Sequence, residues 1–178
     1  MKSDALVLEN AQVARARAGD LEALEAVYRA FRAPVYNLGR RMCGNEEDAE
    51  DVLQETFLEV CRSIRRFRGD GSLWSWVRQV AVSKALMLLR RERGRAGRSL
   101  DGGLIPPDSL GKSPPEPTAP IDLESALGRL SPVTRAVLWL HDVEGYTHEE
   151  IGEMMGGSTS FSKSQLSRAH KRLREWLD

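Results

Sequence analysis

Six of the eight prolines, Pro106, Pro107, Pro114, Pro115, Pro117 and Pro120, fall within fifteen residues of a 178-residue chain, mixed with Gly102, Gly103 and Gly111. Such a stretch breaks helices, weakens strands and offers too little apolar surface to build a packed core. It therefore divides the chain. Residues 5–95 are expected to form one domain, 96–121 a flexible Pro/Gly-rich linker, and 122–178 a second domain. As a flexible coil, a segment of this length averages roughly 30 Å end to end, and its prolines extend it further. Two domains so joined can act on sites far apart.

Both flanks read as helical, because apolar residues recur at spacings of three and four and alternating β-branched runs are missing. The expected class is all-α, in two small helical domains. Leu6 to Ala18 is a first helix. Asp20 caps a second, whose inward stripe is Leu21, Leu24, Val27, Tyr28 and Phe31. Pro34 is read as opening the next helix, which Gly44-Asn45 ends. Ala49, Val52, Leu53, Thr56, Phe57 and Val60 make the stripe of an acidic helix that stops before Gly69-Asp70-Gly71. Ser72 then caps a helix reaching about Arg93, with Trp76, Val77, Val80, Ala81 and Leu88 inward. In the second domain, Ile121 to Leu130 is a short helix and Ser131-Pro132 opens another with Val133, Val137, Leu138 and Leu140. Gly145 breaks it, and Thr147 with Glu150 forms a capping box for a third helix carrying Ile151 and Met154-Met155. After the Gly156-Gly157-Ser158 turn, Phe161 to Trp176 is a basic helix.

The 26 Lys and Arg balance the 26 Asp and Glu, so a uniformly basic coat and an acidic tail are excluded. The charge is sorted along the chain instead. Residues 46–59 hold seven acids and no base, whereas residues 62–98 hold eleven bases against Asp70 and Glu92. One surface repels nucleic acid and its neighbour attracts it.

A short helix, a Gly turn and a helix rich in Lys and Arg form the helix-turn-helix pattern, whose second helix fits the DNA major groove. Lys163, Arg168, Lys171, Arg172 and Arg174 supply cations, and Ser162, Ser164, Gln165 and Ser167 supply short donors and acceptors for phosphates and base edges. Ser164, Gln165, Arg168 and Lys171 are expected near one face, opposite Leu166, Ala169 and Leu173. The plainer reading is an amphipathic helix with a solvated basic face. In FRGDGSLWSWVRQVAVSKALMLLRRERGR, Phe67, Trp74 and Trp76 stand among bases, a combination suited to stacking on unpaired bases. Trp76 also lies on the apolar stripe and reads as core. Along DAEDVLQETFLEV, Asp48, Asp51, Gln54 and Glu55 share a side with no interleaved Lys, either a solvated face or a patch complementary to a basic partner.

Together these segments resemble a known family. DAEDVLQETF, preceded by LGRRMCGNEE and followed by FRGDGSLWSWVRQVA, resembles the core-binding and promoter-melting domain of extracytoplasmic-function sigma factors, the small two-domain class of the sigma-70 family. LSPVTRAVLWLHDVEGYTHEEIGEMMG and SKSQLSRAHKRLRE resemble that family's second domain, which binds the −35 element. The resemblance spans about residues 10–95 and 122–177. It implies a four-helix sigma domain 2 and a helix-turn-helix sigma domain 4, acting with core RNA polymerase through its β′ coiled coil and β flap. It implies promoter DNA, both duplex and single-stranded, and an anti-sigma factor as the other partners. Asp48, Asp51, Gln54 and Glu55 correspond to the core-polymerase contacts. Arg65, Arg66, Phe67, Arg68, Asp70, Ser72, Trp74, Arg78, Ser83 and Lys84 correspond to the −10 surface. Lys163, Ser164, Gln165, Ser167, Arg168, Lys171 and Arg172 correspond to the −35 surface. Ser83 stands where the family commonly has Asn, which alters a contact typical of −10 recognition. Ser160-Phe161-Ser162 stands where Gly-Thr-Val is usual and Gln165 in place of a frequent Arg, so the −35 sequence does not carry over from relatives.

The rival reading is a stand-alone helix-turn-helix regulator with an N-terminal sensor or dimerisation domain, for which the acidic patch has no use. An enzyme built on the acids of residues 46–59 lacks a convergent His, Cys or Lys, and the reading expects no catalytic centre and no cofactor. His141, His148 and His170 lie on separate predicted helices without zinc spacing, so no metal is expected. Cys43 and Cys61 read as two small buried side chains. No signal-peptide pattern opens the chain and no apolar run approaches a membrane span, which predicts a cytoplasmic protein without membrane insertion.

Overall fold

A computed structural model of the chain describes residues 10–69, 71–95 and 122–177. Every regular element among them is helical, and they form two compact units. The first holds α1 (Asn10–Ala18), most of α2 (Leu21–Cys43), α3 (Glu46–Ser63), a 3-10 turn at Ile64–Arg66, and most of α4 (Leu73–Arg95). The second holds α5 (Leu123–Arg129), α6 (Pro132–Leu138), α7 (His148–Met155) and α8 (Thr159–Leu177). The expected start at Leu6, the loop residue Asp70 and the linker 96–121 lie outside the described residues.

In the first unit Asp20 caps α2, its Oδ1 accepting the Ala23 N–H at 3.2 Å. The helix then buries Ala23, Val27, Phe31, Val35 and Leu38, a stripe repeating every three or four residues. Leu21, 81% exposed, and Tyr28 lie off this stripe, contrary to expectation. Pro34 opens no helix and instead lies inside one continuous helix of 23 residues. Its missing N–H and its ring cost about 3 kcal/mol there. Phe31 and Val35, fully buried on either side, each contribute about 1.5–3 kcal/mol and hold the helix across the interruption. Near its end, α2 crosses α3 closely: a Cβ on Gly39 would stand 3.1 Å from Ala49 Cα.

Asn45 caps α3 by accepting the Asp48 N–H at 2.8 Å, and Glu46, Glu47 and Asp48 in the first turn complement the positive end of the helix dipole. Ala49, Val52, Thr56, Phe57 and Val60 are buried as the spacing predicts. Ser72 caps α4, its Oγ accepting the Ser75 N–H at 3.1 Å. Leu73, Val77, Ala81 and Ala85 carry the buried stripe of α4, four residues apart. Trp76, Val80 and Leu88 flank that stripe and are only half-buried. Cys61 is exposed rather than buried, while Cys43 is buried.

In the second unit each helix start carries its own cap. Asp122 accepts the Ser125 N–H at 2.7 Å, and Ser131 accepts the Thr134 N–H at 3.3 Å with Pro132 at the first helical position. After α6 the backbone widens into a π turn, Trp139–Val143, before Gly145. Both halves of the capping box form: Thr147 Oγ1 accepts the Glu150 N–H at 3.2 Å, and Glu150 Oε2 accepts the Thr147 N–H at 2.7 Å. Gly156 ends α7 with φ of 66°, a left-handed conformation that favours glycine, and the Gly157 N–H reaches the Gly152 carbonyl at 2.8 Å. Ser158 Oγ accepts the Phe161 N–H at 3.1 Å, so α8 begins at Thr159, two residues before the expected start.

Candidate protein and nucleic-acid interfaces

The acidic helix α3 presents Asp51, Gln54 and Glu55 to solvent on the side away from Val52, Thr56 and Val60. Asp48 differs from them: it is half-buried, and its Oδ2 accepts a hydrogen bond from Asn45 Nδ2 at 2.6 Å. Of the four candidates, Asp48 therefore serves the helix start, and the other three remain exposed.

Next to α3, the turn and the loop after it leave Arg65, Arg66 and Arg68 exposed. Phe67 does not join them. It is 7% exposed, its N–H bonds to the Ile64 carbonyl at 3.1 Å, and its ring lies 5.6 Å from that of Trp76. The apolar ring anchors the loop that displays the arginines, which corrects the expectation of a free stacking aromatic. Trp74, half-buried, lies 5.5 Å from the fully buried Phe31 ring. Ser72 is exposed, its Oγ 2.8 Å from Ser75 Oγ, and Arg78 is half-buried.

Along α4, Ser75, Gln79 and Ser83 form an exposed row four residues apart. Gln79 was not among the sequence candidates; its position one turn before Ser83 is the signal that finds it. Lys84 turns toward α3 instead, with Nζ 3.4 Å from Glu59 Oε2 and 4.0 Å from Glu55 Oε2.

In α8, Lys163, Ser164, Ser167, Arg168 and Lys171 are exposed, and Arg172 is half-buried. Gln165 corrects the expected face. It is buried, and its Oε1 accepts a hydrogen bond from Thr134 Oγ1 at 2.8 Å. Thr134 Oγ1 is in turn 2.8 Å from Ser131 Oγ, so a polar chain ties α8 to the start of α6. Ser162, expected among the donors for DNA, is also buried and forms the inner side of α8 with Gln165, Leu166 and Ala169.

The three histidines, from separate elements, converge in this unit. Asp142 Oδ1 lies 2.7 Å from His141 Nδ1 and its Oδ2 lies 2.6 Å from His170 Nε2. The His141 and His148 rings stack at 4.4 Å, and His148 Nδ1 is 3.1 Å from the buried Ser162 Oγ. Burial raises the Asp142 pKa, but the hydrogen bonds from His141 and His170 outweigh it and hold the carboxyl below its usual range. Desolvation, with the neighbouring His141 and Lys163, pushes the His148 pKa down. No group of three or more His, Cys, Asp or Glu among the described residues is arranged to hold a metal ion, and no described helix is long and apolar enough to cross a membrane.

Comparison with known proteins assigns both halves. The Sigma-70 region 2 family matches residues 27–95, and the Sigma-70, region 4 family matches residues 121–173. The ECF RNA polymerase sigma factor SigE of Mycolicibacterium smegmatis is 33% identical over 80% of this chain, which spans 57% of that relative's length. RNA polymerase sigma factor CarQ of Myxococcus xanthus is 31% identical, with 92% of this chain and 94% of that protein covered. The ECF RNA polymerase sigma factor SigM of Mycobacterium tuberculosis is 30% identical, with 90% and 80% covered. Among solved structures, the fold is similar to sigma factor RpoE in complex with the anti-sigma factor NepR from Bartonella quintana, with a TM-score of 0.54, 20% identity, and 88% and 98% of the two chains covered. It is also similar to CnrH in complex with the cytosolic domain of CnrY, with a TM-score of 0.52, 20% identity, and 94% and 96% covered. With both sigma-70 regions in order along one chain whose described elements are all helical, and sequence identity extending over nearly the whole of a relative, the chain belongs to the extracytoplasmic-function RNA polymerase sigma factors of the sigma-70 family.

Proposed function

We propose that the chain binds core RNA polymerase through α3 and directs it to promoters through two separate DNA contacts, one from each unit, without a catalytic centre or cofactor of its own. The observation that carries this reading is the exposed patch of Asp51, Gln54 and Glu55, acidic and without an interleaved base on its own face. Such a patch attracts the basic side chains of a protein partner and repels nucleic acid. The β′ coiled coil is the polymerase element assigned to it, and the β flap the element assigned to residues 122–178. Asp48 supports the patch by fixing the helix start.

The −10 element, unpaired, is assigned to the surface made by Arg65, Arg66, Arg68, Ser72, Arg78, Gln79 and Ser83, and Asp70, between Arg68 and Ser72 in sequence, is assigned to the same role. Its exposed arginines suit phosphates, and its row of uncharged polar groups suits base edges. Phe67 and Trp74 position this surface from behind. The −35 duplex is assigned to Lys163, Ser164, Ser167, Arg168, Lys171 and Arg172 of α8, with Gln165 holding the helix in place. Residues 5–95 and 122–178 then act as sigma domains 2 and 4, joined by residues 96–121. An anti-sigma factor is assigned as a further partner on the strength of one similar fold, a sigma factor in complex with an anti-sigma factor by name. The cytoplasm is the compartment in which these partners meet.

The test is run-off transcription with purified core polymerase on the promoter upstream of the chain's own gene. The unaltered chain should yield a specific transcript. Asp51→Arg should abolish both core binding in a pull-down and the transcript while leaving helical content unchanged; full binding by that variant would refute the docking surface.

A further inference from the structure

Lys84 lies next to Ser83 in sequence, within the segment assigned to the −10 element, yet its side chain is only 17% exposed. Its amine is directed at α3, 3.4 Å from Glu59 Oε2 and 4.0 Å from Glu55 Oε2. To reach a phosphate, the ammonium would have to abandon two carboxylates and leave them uncompensated on a helix already carrying seven acids between residues 46 and 59. Glu59 is partly covered, with 38% of its side chain exposed, and Glu55 is 56% exposed and belongs to the docking patch. A cation placed between them orients the Glu55 carboxylate and relieves repulsion along that side of α3 before any partner arrives. The same ion pairs link α3 to α4, so the helix assigned to the polymerase and the helix assigned to the −10 strand share one side chain's contacts.

We propose that Lys84 is a positioning residue for polymerase docking, acting through Glu59 and Glu55, and that it makes no contact with promoter DNA. This inference rests on the assignment of α3 as the docking helix. It separates the roles of two adjacent residues: Ser83 faces the DNA strand, and Lys84 faces the acidic patch.

The experiment uses the full chain and core polymerase. The affinity of each variant for core is measured first. Binding of the assembled holoenzyme to a single-stranded −10 oligonucleotide is then measured over a range of salt. Lys84→Met should weaken core binding about three- to fivefold, the scale of a partly covered ion pair. Its oligonucleotide binding should keep the unaltered salt slope once holoenzyme is saturated. Lys84→Arg, which keeps the cation and its reach, should restore core affinity. Lys84→Met combined with Glu59→Gln should cost less than the sum of the two single changes, an outcome that a general loss of packing does not produce. Core affinity unchanged in Lys84→Met, with the log–log salt slope reduced by about 1, would place the amine on a phosphate and overturn the proposal. If the unaltered chain fails to bind core, the docking assignment falls first and this proposal falls with it.

Discussion

At the scale of single residues, neighbours on one helix divide the work between holding and reading. Gln165 and Arg168 are three residues apart on α8, but Gln165 is spent on Thr134 inside the unit while Arg168 faces outward. Gln165→Ala should therefore lower stability by about 1–3 kcal/mol, because it removes a buried side chain and breaks the hydrogen bond that ties α8 to Thr134. Arg168→Ala should leave the melting temperature unchanged and cut −35 duplex affinity by about 1–3 kcal/mol if it meets a base edge. Thermal melts and fluorescence anisotropy on both variants check the division; equal effects on both readouts would contradict it. His148 gives a second residue-scale prediction. Burial and the nearby His141 and Lys163 lower its pKa, so the folded unit prefers the neutral ring. In the pH range between that lowered value and the usual one near 6.5, the unfolded chain binds more protons than the folded one. The stabilisation is therefore complete above about 6.5 and is lost as pH falls toward the folded-state value. An NMR titration of the His148 ring should give a midpoint below the ordinary histidine range, and His148→Gln should remove this part of the acid sensitivity.

At the scale of elements, the approach of helix to helix depends on small residues. A Cβ on Gly152 would stand 3.0 Å from the Ser158 carbonyl carbon, 3.1 Å from its oxygen and 3.2 Å from the Thr159 nitrogen. All three are backbone atoms of the turn that launches α8, and none can swing aside as a flexible side chain can. Gly152→Ala should cost about 1–3 kcal/mol, visible as a lower melting temperature, together with weaker −35 binding because α8 is displaced. A melt matching the unaltered chain would show that the turn relaxes freely. The sequence makes this turn legible as a turn, through Gly156-Gly157-Ser158, but the close approach at Gly152 depends on a crossing that no local pattern encodes. The same distinction runs through the fold. Caps at Asp20, Ser72, Ser131 and Thr147 are local hydrogen-bond chemistry and appear where the residue types predict them. Pro34 shows the opposite: burial of Phe31 and Val35 over the length of α2 overrides a local breaker. Gln165 lies on the border between the two faces of α8, and its burial follows from Thr134, 31 residues away in sequence. Lys84 reads as one more base in a basic segment until α3 is placed beside it.

At the scale of the whole molecule, the question is why two modest DNA surfaces are carried on one chain. On the proposed assignment the first captures bases that have left the duplex, which costs unstacking energy, and the second reads a duplex with one helix of a small unit. Linking them turns the second contact into an intramolecular event, raising effective affinity about 10²- to 10⁴-fold when the connection can span both sites. Residues 96–121 set that span: at full extension 26 residues reach at most about 90 Å. Deleting residues 100–116 leaves nine, with a reach of about 30 Å. The proposed core-binding surface on α3 does not include this segment, so the deletion variant should still assemble with polymerase in a pull-down. It should lose most promoter-specific run-off transcript, because the two DNA contacts can no longer be made together. Replacing the deleted residues with a Gly-Ser stretch of equal length should restore much of the transcript, since reach rather than sequence is the requirement. A deletion variant that initiates at the unaltered rate would show that the span between the units does not set promoter recognition, and the two-contact account of this chain would have to be abandoned.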